Sequence, residues 1–328
     1  MYRTSNELNA LLDRFKEQRI LVVGDVMIDK YLLGSISRMS PEAPVPVMQY
    51  EASESRPGGA ANVALNVDQL GAQVTLCSVI GQDPEGTQFM NLLAEYGLNS
   101  DGIIQSAERI TTTKTRVMAE SEHLLRVDRE VTIDLTDWEA DQLLARIQEK
   151  IEDVRPNAII LQDYNKGVLS ATVIKKVCQL ARVNNIKVSV DPKFDAFLNY
   201  RGVDLFKPNL IELRAGTPYH VDITEESLAE ATNYVREQLD CALVLVTLSD
   251  EGIFVNDGKI QLQLPAHERV VRDVCGAGDS VISVATLTYV AGYSSEEIAY
   301  WSNLGGSIIC EYPGVVPLSA DVFRKGLD

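Results

Sequence analysis

The sequence contains little positive charge and no long apolar run, and both shortages exclude classes of protein. Its 328 residues include 30 lysines and arginines against 47 aspartates and glutamates, a formal charge of −17 at pH 7. Because nucleic-acid phosphates select basic faces, a nucleic-acid partner is not expected. No apolar run is long enough for a membrane-spanning helix, and the polar residues 1–19 lack the apolar core of a secretory signal. We therefore expect a soluble, cytoplasmic protein without a membrane partner.

Cysteine and histidine are also too scattered to indicate a metal site. The five cysteines show no Cys-x-x-Cys spacing, and the three histidines are isolated from one another. This pattern predicts neither a zinc site nor a disulfide framework. Hydrophobic residues, in contrast, make up 45% of the chain, which suffices for a large core without either.

Short apolar segments alternate with amphipathic ones along most of the chain. We predict buried strands at residues 20–23, 74–80, 158–161, 188–190 and 243–246. We predict helices at residues 84–96, 137–152, 170–184, 224–239, 277–291 and 294–311, and one more after a capping box formed by Thr4 and Glu7. Strands that are apolar throughout and alternate with helices indicate an α/β fold, with a doubly wound, mostly parallel central sheet flanked by helices.

Two segments interrupt this alternation. Residues 31–57 are rich in proline and show strand-like polar alternation, and residues 103–130 resemble polar strands. Neither has the pattern of a crossover helix. We predict that together they form a small β-sheet lid on a main domain made of residues 1–30, 58–102 and 131–328.

Polar side chains follow five strands, at the edge where an open parallel sheet binds ligands. These residues are Asp25, Asp29, Asp163, Asp191, Lys193, Asn209, Glu212, Thr247 and Ser249. Taken singly, most of them are better explained as a helix cap or a turn residue. Their shared location favours a binding site.

A short glycine run, Gly276-Ala-Gly-Asp279, precedes an apolar helix. Small residues let the backbone approach a ligand closely, and the free amides at a helix start favour an anion. A carboxylate in such a turn can accept the proton of a hydroxyl that attacks phosphorus. The alternative is that Asp279 only caps the helix, and the local pattern does not decide between the two.

A second glycine element runs from Arg56 through Gly58 and Gly59 to Asn62. Its glycines allow close backbone approach, and the Asn62 amide can donate to and accept from sugar hydroxyls. An ordinary loop leading into a helix is the alternative here.

Together the two elements resemble the signatures of ribokinase-like (PfkB) carbohydrate kinases. The first signature covers residues 58–64, with Gly71 and Gly81 at the family's spacing, and the second covers residues 273–279. Cys275 stands where threonine is common, and Val284 where a smaller residue is usual. The segments 24–29, 40–46, 163–167, 191–193 and 207–212 are similar to a narrower branch, the kinase half of bacterial heptose-phosphate kinase/adenylyltransferases.

The resemblance implies a ribokinase-like kinase that uses ATP and Mg²⁺, with K⁺ as a candidate monovalent cation. It implies Asp279 as the catalytic base and the amides of Gly276, Ala277 and Gly278 as an anion hole. Sugar-binding residues implied by the family are Asp25, Asp29, Gly58, Gly59, Asn62 and Asp163. ATP-binding residues implied in the same way are Asp191, Lys193, Asn209, Glu212, Thr247, Ser249, Gly252 and Asn303. Asn209 and Glu212 would organise Mg²⁺ through water or phosphate, and the lid would form a homodimer interface.

The narrower branch phosphorylates D-glycero-β-D-manno-heptose 7-phosphate at O1, for ADP-heptose and lipopolysaccharide core synthesis. Its distal phosphate needs cations, for which we expect Arg38, Lys114, Arg116 and Lys166, because arginine and lysine suit phosphate recognition. The sequence contains no HxGH motif of the adenylyltransferase half, so we expect a kinase alone. A kinase for fructose, ribose or tagatose 6-phosphate and a catalytically silent sugar-binding protein remain open alternatives. A nicotinamide-dependent oxidoreductase is disfavoured because no GxGxxG follows the first strand.

Overall fold

The computed structural model describes residues 3–119 and 122–327. Its strands are β1 (Arg19–Gly24), β2 (Val26–Met39), β3 (Pro46–Gly59), β4 (Gln73–Gly81), β5 (Ile103–Ser106), β6 (Thr113–Ala119), β7 (Glu122–Arg129), β8 (Ala158–Gln162), β9 (Lys187–Asp191), β10 (Leu205–Phe206), β11 (Leu243–Thr247), β12 (Ile253–Asn256) and β13 (Gln261–Leu264). Its α-helices are α1 (Ser5–Phe15), α2 (Ala60–Gln69), α3 (Pro84–Glu95), α4 (Asp137–Val154), α5 (Ala171–Val183), α6 (Leu210–Gly216), α7 (Glu225–Leu239), α8 (Ala277–Val290), α9 (Ser295–Ile309) and α10 (Ala320–Lys325).

The larger sheet has nine strands in the order β13-β12-β11-β10-β9-β8-β1-β4-β5. The strands from β11 to β5 in this order are parallel, and β12 and β13 add an antiparallel edge. Strands such as β1 and β8 are buried on both faces, which explains why they are apolar throughout. Their carboxyl ends share one edge of the sheet, so the residues that follow them meet there.

Helices cover both faces of this sheet, as the alternation of apolar segments predicts. One apolar cluster packs α1, α2, α8, α9 and α10 against one face, and a second packs α4, α5 and α7 against the other. The six predicted helices are found within two residues of their expected ends. The Thr4–Glu7 capping box is also present, with the Thr4 amide donating to Glu7 Oε2 at 2.8 Å. The predicted α/β fold with a mostly parallel sheet is therefore confirmed.

A second sheet of four strands, in the order β3-β2-β6-β7, rises from the first. The long hairpin β2–β3 is antiparallel, β2 pairs with β6 in parallel, and β6 pairs with β7 in antiparallel fashion. The hairpin begins closer to the main sheet than predicted, because β2 starts at Val26 and β3 ends at Gly59.

The predicted lid segment 103–130 divides between the two sheets. Residues 103–106 form β5, which extends the large sheet beside β4, because Ile103 is buried in the main core. Residues 120 and 121 of the segment lie outside the described residues. Movement of the second sheet as a lid, and the division of the chain into two domains, stay predictions.

No helix within residues 3–119 and 122–327 is long and apolar enough to cross a membrane.

Candidate active site

Asp279 lies at the start of α8, at the carboxyl edge of the large sheet. Gly276 is the N-cap residue, with a φ of 82° that a glycine adopts without strain. The Asp279 side chain does not cap the helix. Its Oδ2 accepts a hydrogen bond from Asn62 Nδ2 at 2.7 Å, and its Oδ1 accepts one from the Tyr164 hydroxyl at 2.7 Å. The residue is only 4% exposed, so the carboxylate is held by side chains from α2 and from the loop after β8.

The surroundings of Asp279 make it a stronger base than an ordinary aspartate. Burial raises the pKa of its carboxyl to about 6, and the negative charge of Asp191 acts in the same direction. The hydrogen bonds from Asn62 and Tyr164 and the charge of Lys207 lower the pKa. At neutral pH the group is therefore mostly ionised, yet basic enough to accept a proton in a transition state.

The first turn of α8 offers backbone amides to an anion. The first amides of any helix have no partner within it and carry the positive end of its dipole. In this turn the Ala277 amide donates to the Val274 carbonyl at 3.3 Å, so of the three amides expected in the anion hole this one already has a partner. A Cβ placed on Gly278 would lie 3.8 Å from Lys207 Nζ. An anion bound at this helix start would thus meet an ammonium group.

Lys207 was not among the residues predicted for the site. It follows β10, is 3% exposed, and pairs with Asp191, with Nζ and Oδ1 3.0 Å apart. The position of Lys207 directly after a strand is the signal that could have identified it. Gln162 was missed as well: its amide donates to Asp191 Oδ2 at 3.1 Å and lies 3.5 Å from Asp279 Oδ1.

Asp25, predicted to bind sugar hydroxyls, accepts three backbone amides of the loop after β8, and its sugar-binding role stays a prediction. Its Oδ2 accepts from the amides of Tyr164 at 2.8 Å and Lys166 at 3.1 Å, and its Oδ1 accepts from the amide of Val168 at 3.0 Å. Burial raises the pKa of Asp25 while these three hydrogen bonds lower it. The carboxylate is thereby largely occupied in fixing the loop that carries Tyr164.

Asp163 lies in this loop, and both of its carboxylate oxygens also accept hydrogen bonds from the protein. Its Oδ1 accepts from the Asn165 amide at 2.8 Å and its Oδ2 accepts from the Tyr200 hydroxyl at 2.7 Å. Burial, followed by the charge of Asp25, raises the pKa of Asp163 to about 6. A sugar-binding role for Asp163 stays a prediction, because both oxygens already have protein partners.

Asp29 and Arg116 form an ion pair at the base of the second sheet. The Arg116 guanidinium also lies over the Tyr31 ring, 5.3 Å from its centroid, and Arg56 lies over the same ring at 5.2 Å. A Cβ on Gly58 would come within 2.1 Å of Asp29 Oδ2, so this approach of backbone to carboxylate needs glycine. Gly59 is the N-cap residue of α2 and leads directly to Asn62.

Two of the four cations predicted for a distal phosphate lie side by side. Lys166 Nζ is 2.9 Å from a carboxylate oxygen of Glu130, and Lys114 Nζ is 3.6 Å from the other. Lys114 also pairs with Asp128 at 3.4 Å. Arg38 is exposed near the end of β2, nine residues from Asp29 and thus about 30 Å along the strand. The structure therefore does not bring Arg38 to the other predicted residues of this chain.

The predicted nucleotide side is organised around α6. Asn209 and Glu212 cap this helix reciprocally: Asn209 Oδ1 accepts from the Glu212 amide at 2.8 Å, and Glu212 Oε2 accepts from the Asn209 amide at 2.9 Å. Glu212 also forms an ion pair with Lys193, whose Nζ lies 5.5 Å from the centroid of the Tyr164 ring. The described residues contain no group of three or more His, Cys, Asp or Glu side chains that could hold a metal.

The remaining predicted nucleotide residues flank the antiparallel edge of the sheet. Thr247 ends β11 and bridges to Asn209, and Ser249 begins a 3₁₀ turn that ends at Gly252. Asn303 on α9 donates to the Pro265 carbonyl at 2.7 Å. It lines a cavity of about 370 Å³ together with Leu264, Pro265, Ala266, His267, Tyr300 and residues of both chain ends.

The chain is similar to a known family along most of its length. The sequence model of the family described as pfkB family carbohydrate kinase matches residues 17–321. The bifunctional protein HldE of Chromohalobacter salexigens is 40% identical over 307 residues, which cover 93% of this chain and 62% of that protein. The bifunctional protein HldE of Helicobacter pylori is 36% identical over 293 residues, which cover 89% of this chain and 62% of that protein. The chain thus spans less than two thirds of the length of these relatives.

Solved structures share the fold at low sequence identity. Escherichia coli phosphofructokinase-2 in complex with potassium has a TM-score of 0.77 at 21% identity, covering 94% of this chain and 98% of that chain. Arabidopsis thaliana ribokinase complexed with ribose and ATP has a TM-score of 0.69 at 17% identity, covering 95% of this chain and 99% of that chain. These similarities confirm the predicted ribokinase-like fold.

If Asp25 fixes the loop after β8, then Asp25→Asn loosens it. The asparagine retains one acceptor oxygen for three amides, so we expect the backbone of residues 164–168 to exchange hydrogen about 10- to 100-fold faster, as expected for lost bonds to a charged acceptor. Hydrogen–deuterium exchange of the peptide covering residues 163–169 measures this. Asp204→Asn is the matched control, because Asp204 accepts the amide of Val188 instead. Unchanged exchange in Asp25→Asn would show that the loop holds its shape without this carboxylate.

Proposed function

The chain belongs to the pfkB family of carbohydrate kinases, and from this membership we propose that it phosphorylates D-glycero-β-D-manno-heptose 7-phosphate at O1 with ATP. The product would be the 1,7-bisphosphate, on the route to ADP-heptose and the lipopolysaccharide core. The identity of 36–40% to proteins named HldE supports this branch, as do the motifs shared with heptose-phosphate kinases. The observation that carries the chemistry is the buried Asp279 carboxylate at the start of α8.

The proposed reaction is an in-line transfer of the γ-phosphoryl group. Asp279 accepts the proton of the sugar hydroxyl, the hydroxyl oxygen forms a bond to the γ-phosphorus, and the bond from phosphorus to the β–γ bridging oxygen breaks. The electron pair of that bond leaves with ADP. Negative charge on the transferred group faces the first amides of α8 and the ammonium of Lys207, which stabilise it because they are already in place.

Mg²⁺ would supply charge neutralisation on the ATP phosphates. Of the residues present, Glu212 and Asn209 would face it through water or phosphate, and Lys193, held by Glu212, would approach the phosphates directly. Asp191 would hold Lys207 in its orientation. K⁺ belongs to the proposal as an auxiliary cation, since phosphofructokinase-2 of the same fold was solved in complex with potassium.

We place the adenosine of ATP at the antiparallel edge of the sheet. Thr247, Ser249 and Gly252 form the turn after β11. A Cβ on Gly252 would lie 2.1 Å from the Leu264 carbonyl oxygen, so this turn packs against the segment that Asn303 holds through Pro265. The cavity beside Asn303 supports adenine binding in this region.

For the sugar, the proposal uses Asn62, Asp29 and the backbone of Gly58 and Gly59. The 7-phosphate would bind between Lys114 and Lys166 and displace the shared carboxylate of Glu130. Arg116 is a third candidate, although its pairing with Asp29 gives it a second role, the orientation of a sugar-binding carboxylate.

The second sheet also supports a homodimer. Its strands expose large apolar side chains, among them Met39, Tyr50, Leu125 and Val127, which are 51–60% exposed. Exposed apolar groups that cluster on one sheet mark association surfaces more often than single ones do. We propose that two copies of the chain associate through this sheet.

Asp279→Asn tests the base. Asparagine keeps the size of the side chain but cannot accept a proton, so we expect kcat to fall by about 10²–10⁴-fold while the dissociation constant for ATP changes little. Steady-state kinetics and calorimetric titration with ATP measure the two quantities. Asp321→Asn, at an exposed aspartate on α10, is the control. If Asp279→Asn turned over at nearly the rate of the wild type, Asp279 would not be the catalytic base.

Substrate identity is tested by offering ATP with heptose 7-phosphate, fructose, ribose and tagatose 6-phosphate. The proposal predicts the highest kcat/KM for heptose 7-phosphate. A higher value for another sugar would favour the alternative kinase, and binding of a sugar without any phosphate transfer would favour a silent sugar-binding protein.

Lys166→Met and Arg116→Ala separate phosphate recognition from positioning of Asp29. Loss of a charged hydrogen bond to the 7-phosphate should raise KM for heptose 7-phosphate about 10- to 100-fold, with little change for ATP. Unphosphorylated heptose separates the two roles. If a residue binds only the 7-phosphate, its substitution leaves KM for unphosphorylated heptose unchanged. If a residue orients Asp29, its substitution raises KM equally for both sugars. Lys175→Met, at an exposed lysine of α5, is the control, and equal effects of Lys166→Met on ATP and sugar would contradict the proposal.

A further inference from the structure

The Tyr164 hydroxyl has no part in the phosphoryl transfer described above, yet it touches the proposed base. Its oxygen lies 2.7 Å from Asp279 Oδ1, as close as the Asn62 amide lies to Oδ2. A carboxylate has about four lone-pair positions. Oδ1 accepts from Tyr164 and has the Gln162 amide 3.5 Å away, and Oδ2 accepts from Asn62. The orientation of the group is therefore fixed on both sides, and a lone pair of Oδ2 remains for a sugar hydroxyl.

The protein holds Tyr164 in place through its backbone and its ring. The amides of Tyr164, Lys166 and Val168 all donate to the buried Asp25 carboxylate. The loop also contains two left-handed residues, Asn165 with φ 53° and Gly167 with φ 86°, which turn it sharply back toward Asp25. On the other side, the ammonium of Lys193 lies over the phenol ring. The hydroxyl is therefore directed at Asp279 by a loop with little freedom to move.

We propose that Tyr164 is a positioning residue that fixes the rotamer of Asp279 and keeps its carboxylate ionised for proton transfer. The inference rests on the proposed function, since it takes Asp279 to be the base. It assigns Tyr164 no contact with the sugar or with ATP, and it explains why a buried loop is tied so firmly to a second carboxylate, Asp25.

The effect of the Tyr164 hydroxyl on the pKa of Asp279 depends on the charged groups around this carboxylate. Asp191 raises the pKa of Asp279 and Lys207 lowers it, while Lys193 lies behind the Tyr164 ring. Burial and the nearby carboxylates raise the pKa of Tyr164 well above its usual value, so the phenol stays neutral and acts only as a donor. Its removal takes away one of the larger interactions that oppose burial and Asp191, so the pKa of Asp279 should rise above 6.

Tyr164→Phe tests the inference by removing one oxygen atom and leaving the ring under Lys193. We expect the acidic limb of the kcat–pH profile to move up by about one pH unit, the worth of one hydrogen bond to a charged group. Because the ionised fraction of the base falls, kcat should drop about fivefold more at pH 6 than at pH 8. Loss of the fixed rotamer lowers kcat by a further factor that is the same at every pH. KM for ATP should stay the same.

Tyr289→Phe is the matched control. Tyr289 lies near the end of α8 far from Asp279 and is partly buried, and its hydroxyl donates to another aspartate, Asp204, at Oδ1 and 3.4 Å. Its removal should leave the midpoint of the acidic limb unchanged. A midpoint that moves equally in both variants, or a Tyr164→Phe profile lowered evenly at all pH values, would overturn the inference.

A second variant should move the midpoint of the acidic limb in the opposite direction, and it keeps the inference testable if Tyr164→Phe misfolds. Replacing Tyr164 with 3-fluorotyrosine makes the phenol a stronger donor, so the midpoint should move to lower pH. No movement in that direction would contradict the inference. Failure of the base assignment itself is distinguishable, because it shows as retained turnover in Asp279→Asn.

Discussion

The arrangement of the site depends on one buried carboxylate being held in a fixed orientation. Asp279 accepts hydrogen bonds from Asn62 on α2 and from Tyr164 on the loop after β8. It lies at the start of α8, and the start of a helix favours an anion. None of these elements is close to another in sequence. The loop in turn keeps its shape through Asp25, which follows β1 and accepts three of its amides. The parallel sheet brings these segments together because its strands end at one edge.

The second sheet is connected to the same centre by charge and aromatic stacking. Arg56 and Arg116 both lie over the Tyr31 ring, and Arg116 pairs with Asp29 at the base of the sheet. Arg56 also donates to the Val315 carbonyl at 3.0 Å, which ties the sheet to the segment after α9. The proposed sugar-binding carboxylate therefore lies at the junction of both sheets. Under the proposed function, the orientation of one sheet relative to the other would affect how the sugar is held.

The sequence predicts the strands and helices better than it predicts the hydrogen bonds and ion pairs that join them. Strands 20–23 and 158–161 are apolar throughout, and such strands belong in a parallel sheet whichever residues pair. The position of Asp279 at a helix start follows from the glycine run before it. Contacts that join distant segments were not predictable: nothing local indicates that Asp25 accepts the amides of the Tyr164 loop, or that Asp29 pairs with Arg116. Lys207 was not predicted, although its position directly after β10 places it at the ligand-binding edge of the sheet.

Burial makes Asp279 a base suited to neutral pH, while neighbouring donors keep it ionised. Carbon-13 NMR of protein labelled at aspartate carboxyl carbons tests this most directly, with the Asp279 signal assigned by its absence in Asp279→Asn. We predict a titration midpoint near pH 6 for Asp279 in the ligand-free protein, in line with the raised pKa of its buried carboxyl. A midpoint near 4, as for an ordinary solvated aspartate, would contradict it.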